Sequence, residues 1–214
     1  MDQVNDWDEY TFTEEQIKNE DYKATIGGGK EQWDKRGMYQ LLCMAHFGMT
    51  PEHTFIDIGC GPLRAGDYFI RYLEKENYTG YEYNRDYTVI AKRIIEANNQ
   101  LKSKNPTIYH TVSNMFEFSI GFPTFDYGLA FSVLNHCTDE QRIAFFNNIK
   151  SITHPGSRIF FSHGFWLTDE LKEQIPDIWA VFRYEENHPS ISTESFGWKP
   201  HEIIYPFIEF ERMN

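Results

Sequence analysis

Short apolar runs alternate with longer amphipathic stretches through the middle of this chain, and each pattern predicts an element. Trp33, Gly37, Gln40, Leu41 and Met44 fall at helical spacing, which predicts a helix over 31–47. Phe55, Ile56 and Ile58 form a brief apolar run broken only by Asp57 and followed by glycines, the pattern of a strand buried on both faces. A helix over 65–74 carries Tyr68, Phe69 and Leu73, and Tyr78–Glu82 is the next strand. Val89, Ile90, Ile94, Ala97 and Leu101 line one face of a helix over 86–101, which Asn105-Pro106 ends. Strands follow at 107–112 and from Phe125 into Phe131. Thr138 with Gln141 three places on is a capping box opening a helix whose inward residues are Ile143, Phe146 and Ile149. His154-Pro155-Gly156 reads as a turn, and Arg158–Ser162 as the fifth strand.

Strands and helices thus alternate over 54–162, which predicts an α/β fold: a doubly wound, mostly parallel sheet with helices on both faces. Residues 1–29 stand apart as an acidic arm. They read either as a solvated segment or as a lid with Trp7, Tyr10 and Phe12 turned inward, hinged at Gly27-Gly28-Gly29. Residues 30–214 read as a single domain. Beyond Ser162, Thr168 caps a helix with Leu171 and Ile175. Residues 179–184 and 203–210 are strand-like, although Pro206 is hard to place in a central strand. Residues 163–214 therefore admit three readings: final antiparallel strands, a substrate cover, or a helical end.

Composition narrows the chemistry. The formal net charge is −12, from 20 basic and 32 acidic residues, and no Lys/Arg run marks a phosphate-binding face, which disfavours nucleic acid. Cys43, Cys60 and Cys137 have neither metal-like nor disulfide-like spacing, so no metal is expected and a reduced compartment fits. Without a signal peptide or a membrane-length apolar run, the expectation is a soluble cytoplasmic protein with no membrane partner. The aromatic fraction of 17% is high, and core packing accounts for most of it.

The candidate chemistry sits after the first strand. Gly59 and Gly61 lack a Cβ, so the backbone turns sharply there and a ligand can come close. An apolar strand, an acid, Gly-x-Gly and a helix is how open α/β sheets bind nucleotides. A dinucleotide fingerprint would place a third glycine where Arg64 stands, and Pro62 removes an N–H that a pyrophosphate would use. Glu82 ends the second strand about 20 residues on, where an acid takes both ribose hydroxyls. Its plainer reading is an exposed strand-end carboxylate. Tyr83 and Asn84 flank the same position.

The stretch Thr54–Gly66 resembles motif I of the class I S-adenosylmethionine-dependent methyltransferases, with Leu63 where that family usually has its third glycine. Phe125–His136 looks like motif IV of the same family, and Arg158–Ser162 resembles its strand after a Pro-Gly turn. The resemblance covers residues 30–165. It implies S-adenosylmethionine as cofactor, S-adenosylhomocysteine as product, and transfer of a methyl group to an oxygen or nitrogen of a small-molecule acceptor. The residues it implies for the methionine end are Asp57, Gly59, Cys60, Gly61 and Arg64, with Arg64 in the first helical turn paired to the cofactor carboxylate or to Asp67. Glu82, Tyr83 and Asn84 fall to the ribose, Asn114 to the adenine amino group, and Met115 and Phe116 to the purine face. Phe131 and Ser132 close the motif IV strand beside the transferable methyl. Trp33, Arg36 and Tyr39 are further candidates for cofactor contact, with Trp33 better placed in the core. His163 and His136 follow the fifth and fourth strands and are candidate general bases, His163 ahead of His136. Two other readings remain: an NAD(P)-dependent oxidoreductase, and a non-catalytic cofactor-binding module.

Overall fold

A computed structural model of the chain describes residues 10–26, 29–119, 121–162, 168, 171, 173–174, 179–183 and 207–213. The elements in order are α1 (Glu14–Lys18), α2 (Tyr22–Thr25), α3 (Gly29–His46), β1 (Phe55–Ile58), α4 (Gly66–Tyr72), β2 (Tyr78–Glu82), α5 (Arg85–Ala97), α6 (Asn99–Ser103), β3 (Thr107–His110), β4 (Phe125–Ala130), α7 (Asp139–Ile149), β5 (Thr153–Ser162), β6 (Trp179–Arg183) and β7 (Phe207–Arg212). The strands make a seven-stranded sheet in the order β3-β2-β1-β4-β5-β7-β6. The pairs β2/β3, β1/β4 and β4/β5 are parallel, and β7 runs antiparallel to both β5 and β6. The predicted doubly wound, mostly parallel sheet is the observed one. Among the described residues of the chain end, β6 and β7 form an antiparallel strand pair, and β7 begins at Phe207, past Pro206. Among the described residues no helix is long and apolar enough to cross a membrane.

The described residues divide into two compact units, one drawn from 1–53 and 59–112, the other from 54–58 and 113–214. In the first, α3 lies so close to the chain leading into α4 that a Cβ on Gly37 would stand 2.1 Å from the carbonyl oxygen of Arg64. Only glycine permits that approach. The single helix expected over 86–101 is two helices. Asn98 leaves the helical conformation (φ −120°, ψ 105°), and its side chain caps α6 by accepting from the N–H groups of Gln100 and Leu101. The inward face of α5 is also rotated from the expected one. Thr88, Ile90, Ala91 and Ile95 are buried, while Val89 is exposed. The phase is set by Asn84, whose Oδ1 accepts from Tyr87 N–H at 2.9 Å and fixes where the helix begins. Trp33 is a core residue, as expected, in a cluster with Tyr22 and Ile90 that takes in Phe12, Ile17, Ile26, Tyr87 and Ile94.

The second unit is built on aromatic packing. Phe145 meets Phe116, Phe146 and Phe161 edge-on at 5.0, 5.4 and 5.4 Å between centroids, and Phe210 joins from β7 at 4.7 Å from Phe146. Edge-to-face pairs of this kind add about 0.5–1.5 kcal/mol each beyond the area they bury. On α7 the capping box forms as expected, with Thr138 N–H on Gln141 Oε1 at 2.9 Å. Its inward face is Gln141, Phe145, Phe146 and Ile149 rather than Ile143, which is half-buried. Nor does His154-Pro155-Gly156 separate two elements. It lies inside β5 as an irregularity, since Phe125 pairs with Thr153 while Tyr127 already pairs with Arg158.

That irregularity carries an acid. Asp126 Oδ2 accepts from Thr54 N–H at 2.8 Å and from the Thr54 hydroxyl at 2.7 Å, and Oδ1 meets His154 Nε2 at 3.0 Å. Burial opposes its ionisation, but the Thr54 donors and His154 outweigh it and hold its pKa below the ordinary carboxylate value. A depressed folded pKa contributes stability that is present above the unfolded value, near 3.9, and is lost as pH falls through the folded one. Wild-type protein is therefore expected to lose thermal stability between about pH 5 and pH 3 more steeply than Asp126→Asn. Parallel melting curves down to acid pH, with equal slopes in the two proteins, would refute this.

Candidate functional site

In the first unit the glycine loop is folded onto the end of β2. Gly59 N–H donates to Tyr81 O at 2.7 Å, and Gly61 N–H donates to Glu82 Oε2 at 2.7 Å. The other oxygen of Glu82 accepts from Asn84 N–H, again at 2.7 Å. Glu82 is not the exposed strand-end carboxylate of its plainer reading, because it is only 5% exposed. Burial drives its pKa up, and the N–H groups of Asn84, Gly61 and Tyr83 pull against that shift. A carboxylate has about four acceptor positions, so this one retains acceptor capacity for a hydroxyl donor after binding these backbone amides.

Around it the expected residues fall into different roles. Asn84 is buried; its Oδ1 caps α5 and its Nδ2 donates to Tyr10 O at 3.3 Å. Tyr83 is half-buried beside it. Cys60 is buried, with its thiol turned on Gly61 O at 3.6 Å. Leu63, standing where the resembling family has glycine, adopts a left-handed backbone at φ 63°. That conformation costs an L-residue about 1–2 kcal/mol, so the loop keeps the glycine's geometry without the glycine. Arg64 is buried, but it precedes α4 instead of lying in its first turn. Asp67, one of the two partners expected for it, is held by Arg71 through Nε at 2.9 Å and Nη2 at 3.1 Å.

The second unit holds the remaining candidates. Asp57 is buried in β1 at 4% exposure. Beyond β4, Phe131 is buried, and Ser132 takes a left-handed φ of 57° with its N–H on Ser162 Oγ at 2.6 Å. Leu134–His136 form one turn of 3-10 helix, tied down by Arg142 Nε on Leu134 O at 2.8 Å. His136 is exposed, and the protein around it removes enough solvent to hold its pKa below the ordinary imidazole value. Asn114 is exposed in the turn after β3, and Met115 O accepts from Asn148 Nδ2 at 2.9 Å. Phe116, expected with Met115 on a purine face, is buried and meets Phe145 edge-on. His163 lies outside the described residues.

Three participants were not read from the sequence. Ile26 reaches Gly61, with its Cδ1 3.5 Å from where a glycine Cβ would stand. Ser162 holds the Ser132 N–H, and Asn148 holds Met115. Ile26 had one sequence signal, its place directly before the glycine joint. The other two are ordinary polar residues whose partners are distant in the chain.

The family model described as a methyltransferase domain matches residues 56–159. The fold is shared with a magnesium protoporphyrin IX methyltransferase from Synechocystis PCC 6803 solved with bound SAH, at TM-score 0.61 and 13% identity, covering 99% of this chain and 100% of that one. It is shared also with the glycopeptide N-methyltransferase MtfA, at TM-score 0.60 and 12% identity over 83% of this chain and 90% of that one. A third likeness is a TehB-like SAM-dependent methyltransferase from Corynebacterium glutamicum, at TM-score 0.58 and 15% identity over 92% and 97%. No curated protein matches the chain by sequence.

Glu82→Ala is expected to release both anchored amides. Deuterium exchange at Gly61 and Asn84 should then speed up well beyond that of β2 itself. Unchanged protection at both amides in a folded variant would show that the loop is held by something other than Glu82.

Proposed function

From the premise that the chain carries a methyltransferase domain over residues 56–159, we propose that it moves a methyl group from S-adenosylmethionine to an oxygen or nitrogen atom of a small-molecule acceptor. The observation that supports this best is Glu82, a buried carboxylate that holds Gly61 and keeps acceptor capacity for a ribose hydroxyl. The residues fit such a cofactor. Gly61 adopts φ 55°, and Pro62 offers no N–H to a phosphate, so a nucleoside joined to an amino acid suits the loop better than a dinucleotide. A small-molecule acceptor accords with the net charge of −12, which disfavours nucleic acid.

When bound, the cofactor supplies an already activated methyl group on a sulfonium. The chain's part is then orientation and, for an acceptor that must lose a proton, a base. The backbone of Gly59, Cys60 and Gly61 is assigned to the methionine portion, Asp57 to its ammonium, Arg64 to its carboxylate, and Glu82 with Tyr83 to the ribose. Asn84 acts on the ribose end by position, because its own amide is spent on α5 and Tyr10. Asn114 and Met115 are assigned to the adenine, and Phe131 and Ser132 to the methyl end. His163, the first residue past β5, and His136 are assigned as proton acceptors. The lowered pKa of His136 keeps its ring neutral, and therefore free to accept a proton, at neutral pH.

Calorimetric titration is expected to show S-adenosylhomocysteine binding and no binding of NAD; the reverse would make the protein an oxidoreductase. Glu82→Ala should weaken S-adenosylhomocysteine by about 10- to 100-fold, the loss expected for a charge-assisted hydrogen bond. With an acceptor found by a labelled-methyl screen, loss of the base should cut turnover by about 10²- to 10⁴-fold at unchanged cofactor affinity. Full turnover of His163→Ala at neutral pH would remove that residue as base. Full turnover of His136→Ala as well would leave orientation alone as the source of catalysis.

A further inference from the structure

Residues 10–26 form an arm that runs along α5 and ends on the glycine loop. Its polar attachments reach the start and outer side of α5 and, through Lys30 Nζ on Asn19 O and Asp21 Oδ1, the start of α3. Phe12 N–H donates to Asp86 Oδ2 at 2.9 Å, and Asn84 Nδ2 donates to Tyr10 O at 3.3 Å. Arg93 donates from both terminal nitrogens to Glu14, at 2.7 and 2.8 Å. The hydroxyls of Thr25 and Tyr87 meet at 2.8 Å. The rings of Tyr10 and Phe12 lie 6.0 and 5.9 Å from that of Tyr87. Below them Tyr22 meets Trp33 edge-on at 5.8 Å.

Two features connect this arm to the glycine loop. Ile26 covers Gly61 on the side where any other residue would carry its Cβ. Asn84 is shared: its N–H sits on Glu82 and its side chain on the arm. A ligand that approaches Gly61 and Glu82 closely therefore meets the arm. The arm's polar attachments are of the kind water replaces at little cost. The Arg93 and Glu14 side chains are 47% and 79% exposed, and such pairs contribute little to stability. The docked arm is thus held chiefly by the apolar packing of Phe12, Ile17, Tyr22 and Ile26 about Trp33 and Ile90, and a ligand that binds one position of the arm better than another shifts the balance between them.

We infer that this arm gates the cofactor site: S-adenosylmethionine enters and S-adenosylhomocysteine leaves with Tyr10–Ile26 undocked from α5 and Gly61, and bound cofactor holds the arm down in return. The inference rests on the cofactor reading above. The two halves of the statement are linked, because coupling between the arm and the ligand must be reciprocal.

The test uses the full chain and S-adenosylhomocysteine as probe. Glu14→Arg sets two like charges against each other on the arm and α5, and Ile26→Ala uncovers Gly61. Each should release S-adenosylhomocysteine about threefold to tenfold faster than wild type in stopped-flow competition. The exchanged pair Glu14→Arg/Arg93→Glu restores opposite charges and should return the wild-type rate, which a generally destabilised fold would not do. Trypsin cleavage at Lys18 and Lys23 reports the arm directly: S-adenosylhomocysteine should slow it in wild type, and Glu14→Arg should speed it without ligand. Wild-type release from a Glu14→Arg chain that is cut faster overturns the inference. So does wild-type release from Ile26→Ala, or cleavage of wild type indifferent to ligand that calorimetry shows to be bound. A wild-type chain that binds no S-adenosylhomocysteine fails at the first titration, before any arm variant, and takes the cofactor reading down together with the gate.

Discussion

The first unit depends on one buried anion. Glu82 ends β2 with almost no solvent, a costly place for a carboxylate unless donors are supplied at once. The backbone supplies them: Gly61 from the loop before α4 and Asn84 from the start of α5 both donate at 2.7 Å. The chain on either side of β2 is thereby fixed to a single side chain. Desolvation and donation pull its pKa in opposite directions, and burial prevails. An added hydroxyl donor would lower the cost of the charge further. The interaction that shapes the loop is therefore also the one that suits a ribose hydroxyl.

The same economy appears in α5. The helix is buried along Thr88, Ala91 and Ile95, while Tyr87, Ile90 and Ile94 belong to the cluster that receives the arm. A helix with apolar residues on two faces has to meet two partners. This explains why the acidic N-terminal segment folds at all. Its short helices are too brief to persist in isolation, and they are held by the rings and isoleucines they bring to α5. Tyr87 shows the cost of that packing, since burial pushes its phenol up to about 12 despite the hydrogen bond it shares with Thr25.

In the second unit the ordering force is aromatic. Phe116, Phe145, Phe146, Phe161 and Phe210 come from a turn, a helix and two strands, and their rings interlock. Phe210 explains why the chain end completes the sheet. The antiparallel placement of β7 on β5, Phe210 opposite Ile159, brings its ring onto Phe146 and Phe161.

The sequence by itself determined the elements and their class. β2 occupies the very residues its pattern predicted, the capping box of α7 forms as written, and β1 is buried on both faces as its short apolar run, broken only by Asp57, predicted. Those signals are local, because a strand's apolar pattern and a helix's first turn are written within a few residues. The glycine loop and its downstream acid were equally legible, since both rest on spacing along one stretch of chain. Tertiary structure decided what spacing cannot carry. It broke the helix at Asn98, where a side-chain cap outweighed an apolar stripe that continued through it. It set Phe116 in a core with rings from three other segments of chain, α7, β5 and β7, and it paired Asp67 with Arg71. It set Ile26 against Gly61, 35 residues apart in number but adjacent once α3 turns the chain back. Each of these depends on which surfaces meet after folding, and a single sequence read in order holds no record of that.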